Sequence, residues 1–177
     1  MDGVFLPRTD RVIVGFTGHR HLRDENKVAS LLREVVGSLR REIGGEMIGR
    51  SSVASGADTL FAEACLEADL KWVALLPFPE ADFKKDFDEG AWQRARALLD
   101  RAARIETLSI VAERPAGYLR CGLVTVDGAN LMIAVWDEKA SRGPGGTADV
   151  VAHARTLQKP LILINPDNLE IARERFL

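Results

Sequence analysis

Apolar positions along the chain follow two rhythms that alternate from one end to the other. Arg11 to Phe16, Trp72 to Leu76, Asn130 to Trp136 and Pro160 to Ile164 are apolar almost throughout, the pattern of strands buried on both faces. Met47 to Ala54 reads as a weaker strand, interrupted by Gly49, Arg50 and serines. Ile105 to Val111 mixes Glu106, Thr107 and Ser109 with apolar neighbours and is predicted as a less buried strand. Between these runs the apolar spacing becomes helical. Val28, Leu31, Leu32, Val35, Val36, Leu39 and Ile43 form one stripe, stopped by Gly44-Gly45. Leu60, Phe61, Ala64, Cys65 and Ala68 form a second, and Trp92, Ala95, Leu98, Leu99 and Ala102 a third. Helices are also predicted over Tyr118 to Asp127 and Thr147 to Leu157, with a last short one over Asp167 to Phe176. The segment Phe78 to Phe87 reads either as a mobile lid or as an amphipathic surface helix, and the second reading is preferred.

Alternating strands and helices, with strands apolar on both faces, predict an α/β fold: a three-layer, doubly wound, mostly parallel sheet of about six strands. No repeat or linker divides the chain, so residues 1–177 are read as one domain. Hydrophobic residues make up 46% of the chain and charged residues 28%, as in an ordinary globular protein. The formal net charge of −2, without a basic stripe, argues against nucleic acid as a partner. Two cysteines, Cys65 and Cys121, lie among apolar residues and are read as buried structural thiols. No metal site is expected. No apolar stretch reaches the ~20 residues that span a bilayer, and the first residues lack a signal-peptide order, so a cytoplasmic protein with no membrane partner is expected.

The chemistry collects in loops that follow strands: TGHR after the first, SGAD after the second, PFPEAD after the third and WDEKASRGPGGT after the fifth. In open α/β sheets this carboxyl edge is where ligands bind. Gly18 allows a tight turn, Arg20 is a candidate clamp for phosphate or carboxylate, and His19 is a candidate donor or acid–base group. Ser55, Gly56 and Asp58 fit a helix capping box, in which Ser55 caps and Asp58 answers. Alternatively, Gly56 brings backbone N–H groups to a ligand and Asp58 reads ribose hydroxyls. Gly145, Gly146 and Thr147, at the mouth of a helix, make a phosphate cradle. Asp149 in that helix's first turn complements its dipole. Asp137 ends the fifth strand and is read either as a ligand contact or as a loop hydrogen-bonding group. Arg120, near the start of its helix, is explained by a ligand or an acidic partner. His21 and His153 are read as structural, and Trp92 and Trp136 as core. Neither GxxxxGK[ST] nor GxGxxG is present, so this is neither an ordinary P-loop protein nor an ordinary dinucleotide dehydrogenase.

The motifs VIVGFTGHR, SVASGADTLFAEA, LLPFP and ANLMIAVWDEKASRGPGGTADVVAHAR, in that order, resemble the SLOG superfamily, which takes in the Smf/DprA domain and the "lonely guy" phosphoribohydrolases. The resemblance covers about Arg11 to Asn165 and implies a Rossmann-like fold that binds nucleotides or nucleotide-derived ligands. It also implies a homodimer. The phosphoribohydrolase motif PGGxGTxxE supplies a phosphate cradle and a catalytic Glu, with an Arg from the preceding helix. Gly145-Gly146-Thr147 resembles part of it, and Arg120 lies at roughly the corresponding distance upstream. Val150, however, stands three residues after Thr147, where the Glu belongs, and Asp149 is about 100° away on the helix.

The leading expectation is therefore a nucleotide-binding module, read as a sensor, that needs no separate cofactor. In it phosphate lies on Gly145, Gly146 and Thr147 with Arg20 as counter-charge, and ribose or base lies on Ser55, Gly56 and Asp58 with Asp137 nearby. The alternative is hydrolysis of an N-glycosidic bond of a nucleoside monophosphate, with Arg120, Asp149 and Asp58 as candidate catalytic groups. Single-stranded DNA binding ranks third.

Overall fold

A computed structural model describes residues 10–109, 113–141 and 146–175. One seven-stranded sheet runs through them, in the order β4-β3-β2-β1-β5-β6-β7. Its strands are β1 (Arg11–Gly18), β2 (Glu46–Ser51), β3 (Lys71–Leu76), β4 (Arg104–Thr107), β5 (Leu131–Val135), β6 (Leu161–Ile164) and β7 (Ile171–Glu174). Six are parallel, and β7 runs antiparallel to β6. The helices are α1 (Glu25–Ile43), α2 (Ala57–Glu67), α3 (Glu80–Phe83), α4 (Glu89–Leu99), α5 (Arg114–Asp127) and α6 (Thr147–Thr156).

The sheet is covered on both sides because its strands bury both sets of alternating side chains. Val12, Val14 and Phe16 of β1 join Trp72, Ala74 and Leu76 of β3 under α1, α2 and α4. Met132, Ala134 and Trp136 join Leu161 and Leu163 under α5 and α6. Ser51, one of the polar residues that weakened the sequence signal of β2, is accommodated by a specific partner. The Trp72 indole donates to Ser51 Oγ at 2.9 Å, so both groups enter the core satisfied. No helix among the described residues is long and apolar enough to cross a membrane.

Three expectations need correction. The sheet has seven strands rather than six, because the tail forms β7 instead of a helix. Asn165 causes this. Its side-chain oxygen accepts from the Asp167 N–H at 2.9 Å, and its own N–H donates to the Glu170 carbonyl at 2.9 Å, which turns the chain back along β6. Helix α5 begins at Arg114, not Tyr118, with Pro115 in its first turn, where a missing N–H costs nothing. Arg120 is consequently an exposed mid-helix residue rather than one near the helix start. Finally, the residues Phe78 to Phe87 form neither a lid nor one amphipathic helix. They make α3 and a single 3-10 turn (Lys84–Asp86), fastened down by buried Phe78 and Phe83. Arg114 reinforces this by donating to the Asp82 and Asp86 carboxylates.

Candidate binding crevice

Strand order reverses direction between β1 and β5, since β1 leads outward to β2 while β5 leads the other way to β6. Register aligns Gly18 with Val135, so the loops after both strands leave the sheet side by side. Gly18 is pressed between α2 and β5, where an added Cβ would come within 2.5 Å of Ala57 Cβ and 3.1 Å of Val135 Cβ. The His19 N–H donates to the Val135 carbonyl at 3.1 Å, and the Ala57 N–H donates to the His19 carbonyl at 3.0 Å. The TGHR loop is thereby fixed to both β5 and the start of α2.

Two adjoining cavities open at this switch point. The outer one, of about 250 Å³, is lined by His19, Arg20, His21, Trp136, Asp137, Lys139, Gly146 and Thr147, among others. The inner one, of about 70 Å³, lies between the ends of β1 and β2 and helices α5 and α6. Its lining includes Thr17, Gly18, Ser52, Asp58, Tyr118, Cys121 and Thr125. Arg20 and Thr147 belong to both.

His19 organises the outer cavity. Its Nε2 lies 3.1 Å from the Asp137 N–H and 3.0 Å from Asp137 Oδ1. An unprotonated Nε2 accepts from the amide, whereas a protonated one donates to the carboxylate. Its Nδ1 lies 3.5 Å from Thr147 Oγ1 at the start of α6. Burial opposes the Asp137 charge, but hydrogen bonds from the Lys139 backbone N–H, His19 and the Lys139 ammonium outweigh it and hold the carboxyl at about 2. Asp137 is thus a permanently charged anchor for the cations on either side of it. Helix α6 starts at Gly146, a cap without a side chain, and no side-chain cap covers the first-turn N–H groups. Those groups and the positive helix end face the same cavity.

In the inner cavity the carboxyl of Asp58 is enclosed. Burial pushes it up to about 7, against the opposing pull of Arg20 and a hydrogen bond from the Ala54 backbone. The guanidinium of Arg20 lies 4.0 Å from the centroid of the Tyr118 ring. Tyr118 Oη in turn donates to the Asp86 carboxylate, which also receives Arg114.

The candidate residues therefore divide. Gly18, Arg20, Asp58 and Thr147 meet at the inner cavity, and His19, Arg20, Asp137, Gly146 and Thr147 at the outer. Gly145 lies outside the described residues. Ser55 and Gly56 line a third depression with Arg20, Leu22, Glu25 and Arg94. The capping-box reading fails here: Gly56 is the N-cap of α2, and no side chain caps that helix. Gly56 adopts φ 91°, and a Cβ there would lie 2.2 Å from the Arg20 carbonyl oxygen, so its bareness accommodates protein backbone. Arg120 and Asp149 line neither cavity. Val150 is buried and would be struck at 2.4 Å by a Cβ on Gly122, so an apolar contact occupies the position of the expected Glu. Sequence reading overlooked Ser52, Tyr118 and Lys139 as lining groups. Lys139 lay within a loop already singled out, and Tyr118 is the only tyrosine in the chain. Among the described residues, no three His, Cys, Asp or Glu side chains gather as metal ligands.

Compared by sequence, the chain matches no family model and no curated protein. Compared by fold, it is similar to DNA processing protein A (DprA) of Helicobacter pylori, at 18% identity and a TM-score of 0.59, over 87% of this chain and 65% of that one. DprA of Streptococcus pneumoniae matches at 17% identity and a TM-score of 0.63, over 90% of this chain and 53% of that one. The Moco Carrier Protein of Chlamydomonas reinhardtii matches at 16% identity and a TM-score of 0.53, over 89% of this chain and 80% of that one. These likenesses concern the fold, a Rossmann-like three-layer α/β architecture. The chain spans less than two thirds of either DprA chain. The Helicobacter protein is described by its single-stranded DNA binding mode.

Proposed function

We propose that this protein binds a nucleotide or nucleotide-derived small molecule at the β1/β5 crevice, with an anionic group of the ligand in the outer cavity. One observation carries the reading: His19, Arg20, Lys139 and the side-chain-uncapped start of α6 converge on a single cavity at the topological switch point. The cavity offers fork and point cations together with backbone donors, the combination that recognises phosphate. Asp137 lies among them, held by His19 at 3.0 Å and by the Lys139 ammonium at 3.3 Å, which also contacts Asp167 at 3.1 Å. The Moco Carrier Protein, named for the small molecule it carries, lends the small-molecule reading support from a like fold.

Single-stranded DNA is the second reading, supported by the Helicobacter DprA likeness. It ranks lower because the cations converge on one cavity, whereas a strand needs a basic groove that follows its backbone. N-glycosidic hydrolysis has less support. Of its three candidate groups only Asp58 lines a cavity, and Val150 fills the position of the missing Glu.

The test is calorimetric titration with nucleoside mono-, di- and triphosphates and with oligo(dT), at about 0.15 M and 0.5 M salt, alongside an assay for released base. A nucleotide that binds, with no base released and DNA binding absent or lost at high salt, is the expected outcome. Salt-resistant DNA binding without nucleotide binding would overturn the proposal.

A further inference from the structure

The floor of the inner cavity is chemically unlike the outer cavity. Ser52 Oγ is enclosed there beside the Cys121 thiol and makes no hydrogen bond of proper geometry among the described residues. Next to it lies the enclosed Asp58 carboxyl, with a hydrogen bond from the Ala54 backbone. The neighbouring donors are already directed elsewhere. Cys121 Sγ donates to the Leu75 carbonyl at 3.3 Å, and Thr125 Oγ1 donates to the Cys121 carbonyl at 2.9 Å. The titratable groups facing Asp58 are Arg20 from the β1–α1 loop and Cys121 and Tyr118 from α5, while the loop after β2 contributes Ser52 and α6 contributes Thr147. What remains is a small recess in which the Ser52 hydroxyl has no partner and the Asp58 carboxyl has acceptor capacity beyond the Ala54 hydrogen bond. An enclosed hydroxyl left without a partner loses hydrogen-bonding free energy that an entering group could restore, and the neighbouring carboxyl can accept from the same group. A phosphate could satisfy only the hydroxyl, because the negative charge it brings is repelled by the Asp58 carboxylate.

We infer that Ser52 and Asp58 form a donor-reading subsite, joined to the outer cavity through Arg20 and Thr147, that selects ligands inserting two adjacent N–H or O–H groups. The inference rests on the reading of the crevice as a nucleotide site. A recess of about 70 Å³ admits the edge of a group rather than a whole nucleoside. Two sources supply such an edge: the ribose cis-diol, or the N1–H and exocyclic amine of a guanine-like ring. Both would be read by the same carboxyl and hydroxyl. The subsite is a specificity determinant and involves no covalent step.

The experiment titrates the full chain with GMP, with IMP (which lacks the exocyclic amine), with 2′,3′-dideoxy-GMP (which lacks the diol) and with inorganic phosphate. Wild type, Ser52→Ala and Asp58→Asn are compared. In wild type, GMP should bind about tenfold more tightly than one of the two donor-deleted analogues. IMP identifies the base edge as the source, and the dideoxy compound identifies the diol. Both substitutions should shrink that ratio towards one, and Ser52→Ala should do so while leaving phosphate affinity unchanged. The wild-type comparison stands even if a variant fails to fold. Equal wild-type affinity for GMP and both analogues, or a ratio that survives both substitutions, overturns the subsite but leaves the anion site intact. Failure of phosphate and every nucleotide to bind overturns both.

Discussion

The Arg20 guanidinium lies over the Tyr118 ring at 4.0 Å from its centroid, and through this contact the loop after β1 leans on α5. Tyr118 is held by Asp86, and Asp86 by Arg114, so the cation shared by both cavities is positioned through the 78–87 segment and the start of α5. Arg20→Ala should lower nucleotide affinity about tenfold or more, since it removes a charged partner. Tyr118→Leu should lower it by a smaller factor, roughly threefold, since it removes only the support. Calorimetry of both variants checks the order, and equal losses would show that Tyr118 contacts the ligand itself.

Asp58 predicts an unusual pH dependence of stability. Its carboxyl titrates at about 7 in the folded chain against an ordinary 3.8, so the native state holds the proton more tightly than the unfolded state. The stability this confers is complete below about pH 4 and is lost as pH rises through 7. Asp58→Asn should therefore be more stable than wild type at pH 8, and the advantage should vanish by about pH 4. Melting curves at pH 4, 6 and 8 test this, and a constant difference across that range would contradict it.

Asp137 predicts the opposite sign. Held at about 2 against 3.8, its carboxylate contributes stability above about pH 4 that is lost as pH falls towards 2. Asp137→Asn should cost roughly 2 kcal/mol at pH 7, from a shift of nearly two pH units. The cost should shrink in acid, as read by urea unfolding at pH 7 and pH 3.

Two glycines with left-handed backbone separate conformational cost from steric cost. Gly44, at φ 64°, ends α1 with open space around it, and Gly44→Ala should destabilise by about 1 kcal/mol. Gly56, at φ 91°, meets the Arg20 backbone within 2.2 Å of an added Cβ. Gly56→Ala should cost several times more and also weaken nucleotide binding, because it displaces the Arg20 loop. Comparable destabilisation of the two variants would remove that steric contact from the account.

Much of this arrangement was legible in the sequence because burial writes itself into apolar runs. Strands β1, β3, β5 and β6 and their carboxyl-edge loops were located from composition alone, as was the doubly wound order. The strand β7 was not, because the Asn165 turn acts through side-chain oxygens and leaves no periodic trace. The site was half legible. Gly18, His19, Arg20, Asp137, Gly146 and Thr147 belong to loops made conspicuous by glycine and charge. Ser52 and Tyr118 come from a weak strand end and a helix interior, where nothing local distinguishes a lining residue from a packed one. The grouping of Ser55 and Gly56 with Asp58 misled because the Arg20 backbone passes against Gly56, leaving Ser55 and Gly56 in one depression and Asp58 in another.

The most direct measurement is a titration of the ¹⁵N-labelled protein with GMP, followed by amide chemical shifts. The account predicts saturable shifts at Gly18, His19, Arg20, Asp137, Lys139, Gly146 and Thr147, the residues around the outer cavity and its junction with the inner one. Unchanged spectra at millimolar GMP, or shifts confined to the basin of Arg11, Ile48, Lys71 and Arg104 on the sheet face, would contradict it.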